Sequence, residues 1–100
     1  MLGKPRFSYE MGTALLTIKM MPESPETNLE DVEAKAKQVI ESLEGKKPQF
    51  QKEPVAFGIV SLSASFSIDE SLETDPFEKK LKAIEGVNSA ETTDFRRAFG

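Results

Sequence analysis

Val60-Ser61-Leu62-Ser63-Ala64-Ser65-Phe66-Ser67-Ile68 alternates apolar side chains with serines without a break. Successive side chains of a strand point to opposite faces, so this period of two predicts a strand with one face in a core and the other wet. Upstream, Ala14, Leu16, Ile18 and Met20 alternate with Leu15, Thr17, Lys19 and Met21. Both of those faces hold apolar residues, which predicts a second strand in a central position.

Two helices separate these strands from their neighbours. Pro22 and Pro25 end the first strand, and Thr27-Asn28-Leu29-Glu30 fits a capping box with threonine as cap and glutamate reaching back. Leu29, Val32, Ala36, Val39, Ile40 and Leu43 then recur at steps of three and four, opposite Glu30, Glu33, Lys37, Glu41 and Glu44. Gly45 is expected to stop this helix in the left-handed conformation. Asp75-Pro76-Phe77-Glu78 offers a second start, with aspartate as cap and glutamate reaching back, and Phe77, Leu81 and Ile84 form its stripe up to Gly86.

The remaining segments are weaker. Residues 46–53 are polar around Phe50, which predicts a short edge strand where Pro48 and Pro54 are tolerated. Residues 87–95 are β-tolerant but alternate poorly, as an edge strand can. The order is strand, helix, strand, strand, helix, strand. That is the ferredoxin-like βαββαβ sandwich of the α+β class, a four-stranded antiparallel sheet with both helices on one face and strands one and three central. Residues 1–11 read as an N-terminal extension, native or left from cloning, and 12–100 as the domain.

Composition narrows the function. The chain has 100 residues, enough for one core, with 38% hydrophobic and 30% charged residues, the composition of a folded domain. A net charge of −4 argues against a partner held mainly by phosphate contacts and favours a protein. With no cysteine and no histidine, disulfides, thiolate nucleophiles, zinc sites and imidazole bases are excluded. No apolar run approaches a membrane span and no signal-peptide pattern opens the chain, so a cytoplasmic location is expected. There is no glycine-rich phosphate loop, hence no expectation of a bound nucleotide or other cofactor. Carboxylates crowd the loop Asp69-Glu70-Ser71-Leu72-Glu73, but it lacks the glycine-centred spacing of a calcium loop, so no metal site and no catalytic residue are expected.

Two places stand out as contact sites. In Pro54-Val55-Ala56-Phe57-Gly58 the alternation of strand three, continued backwards, leaves Phe57 outside the core. Pattern alone favours a ring tucked under the hairpin by a bulge or bend at Gly58; the alternative is an exposed ring serving as anchor for a partner's pocket. At the other end, Phe95-Arg96-Arg97-Ala98-Phe99-Gly100 holds the chain's one adjacent arginine pair. By position alone the arginines read as solvated and frayed; the alternative is a cation delivered into an anionic site. In a βαββαβ sheet these two places lie a strand length apart, about 30 Å at roughly 3.3 Å per residue. A partner touching both must be larger than the domain.

Leu16-Thr17-Ile18-Lys19-Met20-Met21-Pro22-Glu23-Ser24-Pro25, Glu53-Pro54-Val55-Ala56-Phe57-Gly58-Ile59 and Ile84-Glu85-Gly86-Val87-Asn88-Ser89, in that order and spacing, resemble archaeal elongation factor 1-beta. The resemblance implies a ferredoxin-like exchange factor, monomeric when free and without catalytic chemistry of its own. Its implied partner is elongation factor 1-alpha, the GTPase whose GDP release it accelerates. It also implies that Phe57, followed by Gly58, enters a pocket on the GTPase, and that a basic residue near the C-terminus disturbs the magnesium site. Arg97 aligns best with the eukaryotic lysine in that role, with Arg96 one step away. Where eukaryotic members carry two lysines after the phenylalanine-glycine-isoleucine, this chain has Val60 and Ser61. Two rival readings share the fold: an RNA-binding sheet, which would stack bases on open-face aromatics, and a small-ligand regulatory domain.

Overall fold

The computed structural model describes residues 13–69 and 71–98. The N-terminal extension, Gly12, Glu70 and Phe99-Gly100 lie outside them. Along the chain run β1 (Thr13–Pro22), α1 (Leu29–Ser42), β2 (Lys46–Pro54), β3 (Val60–Asp69), α2 (Asp75–Lys82) and β4 (Val87–Ala98). The sheet order is β2-β3-β1-β4 with every neighbouring pair antiparallel, so the ferredoxin-like α+β fold is as expected and β1 and β3 are its centre.

One face of the sheet supplies the core. Ala14, Leu16, Ile18 and Met20 of β1 and Leu62, Ala64, Phe66 and Ile68 of β3 are buried against Val32, Ala36 and Ile40 of α1 and Phe77 and Leu81 of α2. The Phe66 and Phe77 rings meet with centroids 4.9 Å apart at 37°. A tilted aromatic pair of this kind ties α2 to the middle of the sheet beyond simple area burial.

Several local expectations are corrected by hydrogen bonding. Asn28, not Thr27, caps α1, its Oδ1 accepting from the Asp31 amide at 3.1 Å. Thr27 instead closes the preceding turn, where its Oγ1 accepts from the Ser24 amide at 3.3 Å. At the other end of α1 the left-handed residue is Glu44, with φ 72°. The Gly45 amide donates to the Ile40 carbonyl at 2.8 Å and the Glu44 amide to Glu41 at 3.1 Å, which is the Schellman arrangement displaced by one residue.

Gly45 therefore serves close packing, not a positive φ. A Cβ there would overlap Ile40 Cγ2 and stand 2.9 Å from Phe66 Cδ2, two core side chains with no room to retreat. Gly45→Ala is expected to destabilise the fold by about 1–3 kcal/mol, as overpacking does. A denaturant midpoint lowered without a change in slope is the expected reading; an unchanged midpoint would show that the core yields there.

The two edge strands also differ from expectation. β2 is at an edge but is not short, running from Lys46 to Pro54. Between Lys46 and Gln49 its register slips, and Lys47 stands at φ 55°, a bulge that accommodates Pro48 without breaking the strand. Glu78 does not reach back to cap α2. Thr74 occupies the cap position without a side-chain bond, and Glu78 turns to β4 instead.

Candidate functional site

The hairpin between β2 and β3 forms one end of the molecule. Ile59 donates to the Ala56 carbonyl at 2.9 Å, and both central residues are left-handed, Phe57 at φ 56° and Gly58 at φ 77°. This is a type I′ turn, whose twist matches the flanking strands and whose central pair is usually Asn-Gly or Asp-Gly. Phenylalanine in the first central position carries a steric penalty that asparagine or glycine would avoid. A Cβ on Gly58 would come no nearer than 3.9 Å to Pro25, so glycine is required there by its φ and not by crowding.

Phe57 is 95% exposed. The tucked ring favoured by pattern is thus corrected. The chain reverses through a two-residue turn whose central residues are both left-handed, and the ring stands in solvent at its tip.

The arginines lie at the opposite end, within β4 and not in a frayed tail. Arg96 is opposite Leu15 and Arg97 opposite Ala14. Because residues paired across a sheet share a face, Arg96 belongs to the open face and Arg97 to the helix side. Both are exposed. Arg96 Nε sits 2.9 Å from Asp94 Oδ2, a pair left largely in water.

From Val60 to Ile68 β3 rises by about 26 Å at roughly 3.3 Å per residue, before the hairpin's own reach is added. The body measures 54 × 20 × 19 Å along its principal axes. Phe57 and the arginines are therefore separated along the strand direction, and the structure does not bring them together into one cluster.

Between these ends the open face carries Leu15, Thr17, Gln49, Ser65, Ser67 and Arg96 around a shallow depression. Thr17 Oγ1 and Ser65 Oγ are 3.1 Å apart on its floor. Among the described residues no aromatic ring stands on that face: Phe50, Phe66 and Phe95 pair with Ala64, Leu16 and Leu16 respectively, all on the helix side. The acidic loop after β3 has a local explanation as well. The Ser71 amide and hydroxyl donate to Asp69 Oδ1 at 2.9 and 2.8 Å and hold its carboxyl below its ordinary value, with Lys46 adding a smaller effect.

Sequence reasoning missed one tie between α2 and β4. Glu78 Oε2 accepts from both the amide and the hydroxyl of Thr92, at 2.8 and 2.6 Å. The glutamate fits a capping pattern equally well, so nothing in the sequence marks this cross-link.

These features define a ferredoxin-like α+β domain with an exposed aromatic turn at one end and paired cations at the other. Residues 15–98 match the model of the EF-1 guanine nucleotide exchange domain. The chain belongs to that family. It is 41% identical to elongation factor 1-beta of Methanothermobacter thermautotrophicus, with 87% of this chain and 98% of that protein covered. It is also 38% identical to the elongation factor 1-beta of Methanobrevibacter smithii, with 87% and 98% covered, and 36% identical to that of Methanosphaerula palustris, with 84% and 95% covered. No helix among the described residues is long and apolar enough to cross a membrane.

Proposed function

We propose that the chain promotes exchange of GDP for GTP on elongation factor 1-alpha during translation elongation, in the cytoplasm, as a monomer that grips the GTPase at both ends. The observation that carries this reading is Phe57, held in a left-handed turn and 95% exposed, where neither the core nor the hairpin gains from a phenylalanine. Backbone strain kept at an exposed aromatic residue is the pattern of a contact residue. Phe57 and Gly58 supply the docking affinity. Arg96 and Arg97, a strand length away, reach the nucleotide end of the same partner.

Mg²⁺ bridges the phosphates of a GTPase's nucleotide to protein oxygens in a near-octahedral shell, so disturbing that shell removes much of the nucleotide's hold. A guanidinium brought to its edge stabilises the negative charge left behind. By linkage, the factor weakens nucleotide binding by the same ratio that nucleotide weakens binding of the factor. Rebinding of GTP then ejects it.

The RNA-binding rival lacks a stacking platform among the described residues, and the depression on the open face is shallow, with apolar, hydroxyl and charged side chains mixed around it. Stopped-flow release of a fluorescent GDP analogue from purified elongation factor 1-alpha tests the reading. Catalytic amounts of this chain are expected to accelerate release, and excess GDP with Mg²⁺ to dissociate the nucleotide-free complex. Release at the intrinsic rate would reject it.

A further inference from the structure

Strand β4 carries two irregularities in its pairing with β1, one between Met21 and Pro22 and one between Thr17 and Ile18. At the second, Ile18 is opposite Thr92 and Thr17 opposite Asp94, which leaves Thr93 as the extra residue of a bulge. Everything C-terminal to it is displaced by one position. If the upper register simply continued, Asp94 would fall opposite Leu16, a fully buried position, and Phe95 would face outward beside Leu15. Arg96 would take the helix side and Arg97 would move to the open side, since a slip of one residue inverts every side chain.

An edge strand has a neighbour on one side only, so few bonds resist such a slip. Thr93 Oγ1 reaches the Thr17 carbonyl at 3.5 Å, at the limit of a hydrogen bond. The firm tie is from α2. Half-buried Glu78 takes both donors of Thr92 at 2.8 and 2.6 Å, on the residue that immediately precedes the bulge. Bonds to a carboxylate are shorter and stronger than neutral ones. The outer edge of β4 is at the same time denied to a foreign strand at that amide.

We infer that Glu78, acting through Thr92, is a positioning residue for nucleotide exchange: it pins the Thr93 bulge and thereby decides which face each arginine presents to the partner. This rests on the exchange reading above. Glu78 lies on a helix and exerts its effect by holding the strand that carries the arginines.

Glu78→Ala and Thr92→Val, made in the full chain, test it with two readouts. In the free protein, amide hydrogen exchange is expected to speed up roughly tenfold, the worth of a lost charge-assisted hydrogen bond, at those of Asp94, Phe95 and Arg96 whose amides face β1, while β3 amides keep their protection. In the complete reaction, the maximal rate of GDP release from elongation factor 1-alpha is expected to fall several-fold at an unchanged half-saturating concentration, because docking at Phe57 is untouched. Glu78→Gln retains an acceptor oxygen and is expected to recover most of the rate. Uniformly faster exchange across the sheet with release unaltered would mean that Glu78 only stabilises the fold, and would overturn the inference. Unchanged exchange at those β4 amides would overturn it as well. Normal release from an Arg96→Ala, Arg97→Ala variant would remove the arginines from the mechanism and overturn the inference too, whereas release at the intrinsic rate with the parent chain would sink the exchange reading itself. The two failures are separable because the amide measurement needs no GTPase.

Discussion

Replacing Phe57 with alanine is expected to weaken association with elongation factor 1-alpha by roughly 30-fold or more, the loss of about 2 kcal/mol typical of a central aromatic anchor. The domain itself has nothing to lose. The ring is 95% exposed and the turn is closed by backbone bonds at Ala56, Ile59 and Val55 that do not depend on it. Phe57→Gly sharpens the test, because glycine is at ease at φ 56° where phenylalanine is not. That variant is expected to be more stable than the parent by about 1 kcal/mol while binding as poorly as the alanine variant. Opposite movements of the denaturation midpoint and the affinity would mark a residue kept for contact at the expense of the fold. An equilibrium titration with unchanged Kd for both variants would reject Phe57 as the anchor.

Changing Arg96 and Arg97 together to alanine is expected to slow the maximal rate of GDP release by roughly 10- to 100-fold, the equivalent of charge-assisted bonds worth about 1.5–3 kcal/mol made as the nucleotide leaves. Docking should weaken far less. In Arg96→Ala alone stability should scarcely change, since the Arg96–Asp94 pair is exposed, at 75% and 46%, and exposed pairs contribute little. The single variants carry further information. Because the two side chains belong to opposite faces of β4, one is expected to account for most of the loss, and its identity reports which face lies toward the nucleotide. A double variant that releases GDP at the parent rate would remove the arginines from the mechanism. One that loses docking as severely as Phe57→Ala would make them part of the grip.

How far each element could be read depended on where its side chains went. β1 and β3 were legible because each runs unbulged against the other, from Thr13 and Asp69 to Met20 and Leu62, so their alternation survives in the sequence. β4 was not. Its core-side residues Val87, Ala90 and Phe95 come at uneven intervals because two bulges reverse the parity between them. Its extension through Arg96 and Arg97 was hidden for the same reason, since two arginines in sequence look like a frayed end until β1 is seen to pair with them. Gly45 was placed correctly at the end of α1 but for the wrong reason: the helix stops one residue earlier in the left-handed conformation, and the glycine admits Ile40 and Phe66. Glu78 was read as a local cap because local partners are the only ones that spacing can propose.

Hydrophobic periodicity and turn residues, both properties of neighbouring positions, were enough to determine the βαββαβ order and the central strands, and length and composition to determine the single core and to exclude cysteine and imidazole chemistry. The exposure of Phe57, the inclusion of the arginines in β4, their opposite faces and the Glu78 tie to Thr92 were decided only in three dimensions. Each of these depends on the register of one strand against another or on a helix reaching a distant edge. Register is a relation between segments far apart in the chain, and a single extra residue at Thr93 changes it without leaving any mark in the local pattern.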